Sequence, residues 1–174
     1  MGFHIHFKEL ESKRELDNLI MFLLEQDLGY PNYEDWVQRA EHELSSGIKG
    51  VVQAFVEAHL VGDLVYQPHK EAPRILELKN LRIHPQLRTR KFAEFMVRQV
   101  EAESKGRYDA VILDARANQP GIINFMEACG YTAFATLPLY QDSVPDVAML
   151  KVLDEEKRDS MIVSAKKIVY GKAV

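Results

Sequence analysis

The chain has 174 residues, of which 47% are hydrophobic, and its formal net charge is −4. This length predicts one domain with a sizeable core, and the mildly acidic balance argues against a nucleic-acid partner. Cys129 is the single cysteine, which excludes an intrachain disulfide framework. Since no apolar run is long enough to span a bilayer, we expect a soluble, cytoplasmic protein without a membrane partner.

The beginning of the chain predicts a strand and two helices. Apolar and polar residues alternate over residues 3–10, which is typical of a strand. Ser12, with Glu15 three residues later, predicts the N-cap of the first helix, and Asn32 predicts that of the second. The residues expected to face inward are Leu16, Leu19, Ile20, Leu23 and Leu24 in the first helix, and Trp36, Val37, Ala40 and Leu44 in the second.

The rest of the chain predicts six more strands and two more helices. The strands are expected at 50–57, 61–67, 76–83, 110–114, 131–139 and 147–152, with helices that follow the third and fourth of them. This order indicates an α+β (mixed α/β) fold with a central, mixed, mostly antiparallel sheet of about six to seven strands, flanked by helices on both faces. We expect residues 1–153 to form a single domain and residues 154–174 to form a C-terminal extension.

A basic turn lies between the predicted strand at 76–83 and the helix that follows it. Arg88, Arg90 and Lys91 bring three cations to the start of that helix. Cations there oppose the helix dipole unless an anion is present, and the unpaired backbone N–H groups of a helix start attract an anion as well. The turn therefore predicts a phosphate-binding site, with a solvated basic loop as the alternative.

Three segments together resemble the GNAT superfamily, the acyl-CoA-dependent N-acetyltransferases. Residues 60–64 read LVGDL and resemble the start of the family's third strand. Residues 88–93 read RTRKFA and stand where the family has Q/R-x-x-G-x-G/A. Residues 118–131 read NQPGIINFMEACGY and resemble the family's helix motif that ends in L-G-F. The resemblance spans residues 3–152 and implies the GNAT fold and an acyltransferase activity.

The resemblance also implies a co-substrate and the residues that bind it. Acetyl-CoA, or another acyl-CoA, would lie between the strands at 76–83 and 110–114, with no metal involved. The backbones of Leu81 and Ile83 would hold the acyl carbonyl and the pantetheine arm. The basic turn would hold the pyrophosphate, and Asn118 would contact the pantetheine arm. The implied cofactor-binding residues are Leu81, Ile83, Arg88, Thr89, Arg90, Lys91, Phe92, Ala93 and Asn118.

Glu77 is the candidate catalytic residue. It precedes Arg88 by 11 residues (88 − 77), the offset at which the histone-acetyltransferase branch of the family has a catalytic glutamate. An amine must lose a proton before or during its attack on a thioester, and a carboxylate between Leu76 and Leu78 suits a general base. An ordered water in the role of base, and a plain charge on the solvent side of a strand, are the alternatives.

Two positions depart from the family pattern. Lys91 replaces the motif glycine, so its Cβ obstructs the pyrophosphate or its ammonium pairs with a phosphate. Met126 replaces the tyrosine that in many members protonates the leaving thiolate, and a thioether cannot donate a proton. These departures favour the alternative function, a catalytically degenerate module that binds CoA or a protein partner.

The acceptor and the role of the C-terminal extension are left open. The family implies a small-molecule or protein amine as acceptor, and His69 lies on a loop that can reach a substrate. In the extension, Met161, Ile162, Val163, Ile168, Val169 and Tyr170 are too few to form a core of their own. They are expected to pack on their own domain or on a second copy in a homodimer.

Overall fold

The computed structural model describes residues 4–25, 29–140 and 143–172. Its strands are β1 (Ile5–Lys8), β2 (Gly50–Val56), β3 (His59–Pro68), β4 (Ile75–Ile83), β5 (Ala110–Arg116), β6 (Thr132–Leu137) and β7 (Asp146–Val152). Its helices are α1 (Lys13–Glu25), α2 (Tyr33–Ser45), α3 (Phe92–Ser104), α4 (Pro120–Ala128) and α5 (Arg158–Lys172), with short 3-10 turns at Pro85–Leu87 and Glu155–Lys157. Within these described ranges, no helix has the length and apolar character needed to cross a membrane.

The strands form one mixed sheet in the order β1-β2-β3-β4-β5-β7-β6. β1 with β2, β2 with β3, β5 with β7 and β6 with β7 are antiparallel, whereas β4 and β5 run parallel. Parallel neighbours need a crossover connection, which here contains α3. The predicted α+β fold class, with its mostly antiparallel sheet, is confirmed.

Two compact units make up the fold. The first contains the residues up to 67 together with 80–100, and the second contains 68–79 together with the residues from 101 onward. β4 therefore contributes residues to both units. The single domain predicted for 1–153 stays a prediction.

In the first unit, α1 and α2 pack on the sheet through side chains spaced three and four residues apart. Their buried members cluster with strand residues Val51 and Val65. The N–H of Glu15 donates to the Oγ of Ser12 over 3.3 Å, as the predicted N-cap requires. Two expectations are wrong. Leu24 is 47% exposed because Phe22 occupies the inward position. Asn32 makes no side-chain capping bond, since its φ of 56° is left-handed and not the extended conformation of an N-cap.

In the second unit, Arg158–Lys172 of the C-terminal extension form the helix α5. Its buried side chains pack with strand residues of the same unit in one apolar cluster, whose members are Ile75, Ala110, Ile112, Ala148, Leu150, Met161, Ala165, Ile168 and Val169. Of the arrangements that the sequence leaves open for the extension, packing on its own chain is the observed one.

Asp109 fixes the beginning of α5. Its backbone carbonyl accepts from the N–H groups of Leu153 and Asp154. Its carboxylate accepts from Arg74 Nε at 3.0 Å and from Lys157 Nζ at 3.2 Å. The Arg74 guanidinium, and then Lys157, hold the pKa of Asp109 below its usual value. The first turn before α5 is thus tied to the sheet by charged hydrogen bonds.

Candidate active site

The basic turn between β4 and α3 keeps a backbone suited to glycine. Lys91 has a φ of 63°, in the left-handed region that glycine adopts readily and that a side chain with a Cβ adopts at a cost. The N–H of Phe95 donates to the carbonyl of Lys91 over 3.0 Å, which starts the helix. The N–H groups of residues 92–94 therefore belong to the first turn, where an α-helix supplies no acceptor of its own.

The predicted phosphate ligands come together in this turn with exposed side chains. Arg88, Thr89, Arg90 and Lys91 are all exposed. Arg88 Nε donates to the carbonyl of Ile83 over 3.3 Å. Since these four residues are contiguous and solvent-facing, a ligand can reach each of them without a rearrangement of the core.

Glu94 forms ion pairs with one cation of the turn and with one cation of α3. Its carboxylate lies 3.2 Å from Lys91 Nζ and 2.6 Å from the guanidinium of Arg98. The hydrogen bond from Lys91, followed by the charge of Arg98, lowers the pKa of Glu94. The Lys91 ammonium is thus held at the surface, where its side chain is 83% exposed.

Phe92 has a different role from its neighbours in the motif. Its ring is buried and meets the ring of Phe7 edge-on at 6.0 Å. Phe95, which the helical spacing predicts to face inward, is 52% exposed and stacks on Phe7 at 4.2 Å. Any contact of Phe92 with a ligand therefore comes from its backbone, while its side chain anchors the turn.

The contacts of Gly62 show why the LVGDL segment at residues 60–64 contains a glycine. A Cβ at this position would lie 2.6 Å from Cδ1 of Ile83 and 2.9 Å from the carbonyl oxygen of Arg82. Such distances are too short for any side chain, so glycine is required for β3 to approach this part of β4. The motif glycine thereby sets the position of Ile83, whose backbone is a predicted ligand of the co-substrate.

A buried hydrogen-bond network connects β4 with the ends of α1 and α2. Arg82 Nη1 donates to the carbonyl of Leu23 over 2.8 Å, and its guanidinium also hydrogen-bonds the hydroxyl of Tyr33 and the side chain of Asn80. Asn80 in turn donates to Asp63, which is fully buried. Burial raises the pKa of Asp63 to about 6, although Arg82 opposes the shift. The network stabilises the helix ends through charged groups in the core.

Glu77 lies beside a small cavity in the second unit. It is 5% exposed and forms the end of the parallel register, opposite Ile112. The cavity has a volume of about 10 Å³, room for a single water. Titratable and apolar side chains line it, among them His69, Glu77, Asp114, Leu139, Ile168 and Val169. Glu77 is therefore not a charge on the solvent side of a strand.

Charged and polar neighbours surround the Glu77 carboxylate. Lys79, two residues later on the same strand, donates to it over 3.1 Å. His69 is 4% exposed, and its Nδ1 accepts from the backbone N–H of Glu71 over 3.2 Å. In the neutral ring the proton is consequently on Nε2. Sequence spacing alone predicts neither of these two hydrogen bonds. The i, i+2 spacing does place Lys79 on the same face of the strand as Glu77.

Asp114 connects the cavity to a second group of charges. Its Oδ2 accepts from the hydroxyl of Tyr140 over 3.1 Å. Nearby, Asp146 is fully buried and accepts from Arg116 at 3.5 Å and from the N–H of Leu139 at 3.3 Å. Burial, together with the charge of Asp114, raises the pKa of Asp146.

The remaining predicted residues are separate from the cavity lining. Asn118 is exposed in the turn that leads to α4, and Met126 is 1% exposed in the core. Sequence reasoning missed Ile168 and Val169, because residues so distant along the chain leave no local signal of their contact with Glu77. Among the described residues, no group of three or more His, Cys, Asp or Glu side chains is arranged to hold a metal ion.

The acetyltransferase (GNAT) family model matches residues 10–131. The chain therefore belongs to the GNAT acetyltransferase family, and the resemblance found in the sequence is confirmed. The matched segment includes the basic turn, Glu77 and the helix motif that begins at Asn118. It ends before α5.

Solved structures share the fold at low sequence identity. Arabidopsis thaliana NAA60, in complex with a bisubstrate analogue, has a TM-score of 0.71 and 14% identity over 86% of this chain and 98% of its own. An aminoglycoside 6'-N-acetyltransferase complexed with coenzyme A has a TM-score of 0.69 and 20% identity over 85% and 97%. The ribosomal-protein-S18-alanine N-acetyltransferase from Escherichia coli has a TM-score of 0.68 and 13% identity over 87% and 95%. No curated protein matches the sequence significantly.

Proposed function

We propose that the protein is an N-acetyltransferase that moves the acetyl group of acetyl-CoA to an amine by direct attack on the thioester. The observation that carries this proposal is the φ of 63° at Lys91. Lys91 adopts a conformation that favours glycine, at the position where the family uses glycine to approach a pyrophosphate. This backbone conformation supports a turn that receives phosphates.

In the proposed complex, the turn binds the phosphates of CoA. The first N–H groups of α3 donate to the pyrophosphate, and Arg88, Arg90 and Lys91 add charge-assisted contacts. The backbones of Leu81 and Ile83 hold the acyl carbonyl and the pantetheine arm, and Asn118 contacts that arm. Thr89, Phe92 and Ala93 contribute backbone contacts.

In the proposed reaction, the amine nitrogen forms a bond to the thioester carbon, and the carbon–sulfur bond breaks with its electron pair on sulfur. The proton of the amine goes to Glu77, either directly or through the single water for which the cavity has room. The core thioether of Met126 cannot protonate the leaving thiolate, so that proton comes from solvent. Binding and orientation supply much of the remaining rate.

The acceptor is proposed only as an amine. Two proteins of the same fold are named for amine acceptors, an aminoglycoside and the alanine of a ribosomal protein. A cytoplasmic homodimer that binds neither nucleic acid nor membrane belongs to the same proposal, and light scattering of the full chain tests its dimer part.

Acetyl-CoA binding and thiol release test the proposed function. Acetyl-CoA should raise the melting temperature, because it binds only the folded state. With an aminoglycoside and an alanine-initiated peptide as first acceptors, free thiol should appear in proportion to acetylated amine, measured by mass spectrometry. Binding without turnover across a panel of primary amines would favour the alternative, a degenerate CoA-binding module. Absence of binding would overturn the proposed function and leave only a module that binds a protein partner.

A further inference from the structure

The C-terminal helix forms part of the wall of the cavity beside the proposed general base. Ile168 and Val169 are 5% and 3% exposed, and both line the cavity together with Glu77. A volume of about 10 Å³ holds one water and no alkylamine. In this arrangement, the cavity has no room for an acceptor amine beside the carboxylate of Glu77.

The two ends of α5 are held in different ways. The chain leading into the helix is tied by the carboxylate and carbonyl of Asp109, which bind Lys157 and the backbone of Leu153. The C-terminal half contributes Ile168 and Val169 to the apolar cluster, which also contains Met161 and Ala165 of the same helix. Local opening of one end of a helix costs less free energy than global unfolding, so this half can separate from the sheet while the charged anchor stays in place.

The sequence of the C-terminal half also disfavours a helix that stands alone. β-Branched residues occupy positions 168 and 169, and Gly171 lies in the last turn. Both residue classes have low helix propensity. No heavy atom lies within 4 Å of a Cβ built at Gly171, so close packing does not explain this glycine. The helix therefore depends on the packing of Ile168 and Val169 for its stability.

We propose that Ile168 and Val169 determine access to Glu77, and that an acceptor contacts this residue only when the C-terminal half of α5 moves away from the sheet. The proposal rests on the proposed function for the identity of the acceptor as an amine. The opening of α5 that exposes Glu77 can be measured without any acceptor. The competing arrangement is a permanently closed helix, with every proton passing through the trapped water.

Thiol labelling measures the opening. Glu77→Cys in a Cys129→Ser background supplies a single thiol at the cavity, and Lys166→Cys in the same background supplies an exposed reference on α5. Cys129→Ser leaves intact the backbone carbonyl that accepts from Lys151. With N-ethylmaleimide, we expect the thiol at position 77 to react at least 10-fold more slowly than the one at position 166.

Truncation of the two closing side chains should remove that protection. Ile168→Ala with Val169→Ala is expected to raise the labelling rate at position 77 at least 10-fold. The control is Val163→Ala, which makes the same change as Val169→Ala in a side chain of α5 that is 66% exposed and should leave the rate unchanged. Rapid labelling with α5 intact, or a rate that the double substitution does not alter, would overturn the proposal.

Hydrogen exchange of the unmodified chain decides the question if the double variant does not fold. The amides of residues 165–171 should exchange at least 10-fold faster than those of β5, because the helix opens without global unfolding. Equal protection of the two segments would show a permanently closed helix. Acetyl-CoA binding is measured separately. A chain whose α5 opens but which does not bind acetyl-CoA would therefore refute the proposed function without refuting the proposed opening of α5.

Discussion

The basic turn and the Glu77 cavity are built in opposite ways. The turn consists of the contiguous residues 88–93. Four of them are exposed, and one of these four, Lys91, has a left-handed backbone conformation. The cavity gathers residues from position 69 to position 169 around a carboxylate that is 5% exposed. Substitutions in the turn should therefore affect ligand binding and leave folding unchanged, whereas substitutions around the cavity should affect catalysis, folding or both.

The largest effect is expected at the centre of the cavity. Glu77→Gln removes the proposed proton acceptor and should lower turnover about 100-fold or more, equivalent to about 2.7 kcal/mol or more, with little change in acetyl-CoA affinity. Stopped assays of thiol release, with calorimetry for affinity, measure the two quantities. Glu127→Gln, an exposed glutamate on α4, is the control. An unchanged rate would assign the base to another group.

The wall of the cavity should show a folding effect instead. Ile168→Ala removes buried methyl groups from the α5 cluster and should lower the free energy of unfolding by about 2–3 kcal/mol. Val163→Ala, on the exposed side of the same helix, should change it by less than about 0.5 kcal/mol. Urea denaturation measures both. Equal effects of the two substitutions would mean that α5 is not packed as described.

The turn should show the reverse pattern. Arg88→Ala is expected to weaken acetyl-CoA binding by about 1.5–3 kcal/mol, the range for hydrogen bonds to charged groups. Its melting temperature without ligand should stay the same. Arg98→Ala removes an exposed arginine that pairs with Glu94 outside the turn, and it serves as the control in calorimetry. Unaltered affinity in Arg88→Ala would remove this residue from the site.

The smallest effect concerns the one position where the turn itself is strained. Lys91→Gly and Lys91→Ala both remove the ammonium, but only glycine relieves the left-handed backbone. The glycine variant should therefore be more stable than the alanine variant by about 1 kcal/mol. If the ammonium is a phosphate ligand, both variants bind acetyl-CoA more weakly than the parent. Tighter binding by the glycine variant would instead identify Lys91 as a steric obstacle.

Local sequence patterns determined the order of the elements and the motifs of the family. The alternation near β1, the helical spacing over α1 and the run of cations at 88–91 are all readable along the chain, because their physical causes act between near neighbours. The N-cap at Ser12 was predictable for the same reason, because its hydrogen bond joins residues only three positions apart. Asn32 and Leu24 show its limit: Asn32 has a left-handed backbone and Leu24 is 47% exposed, because tertiary packing overrides local preference.

The tertiary structure alone decided what surrounds Glu77. Its position between Leu76 and Leu78 indicated an apolar strand, but not the cavity lined by Ile168 and Val169 more than ninety residues later (168 − 77 = 91). Nor did the sequence assign α5 to the sheet of its own chain, because an apolar helix face is equally satisfied by a second copy. Burial depends on which distant surfaces meet, and no spacing along one segment encodes that choice.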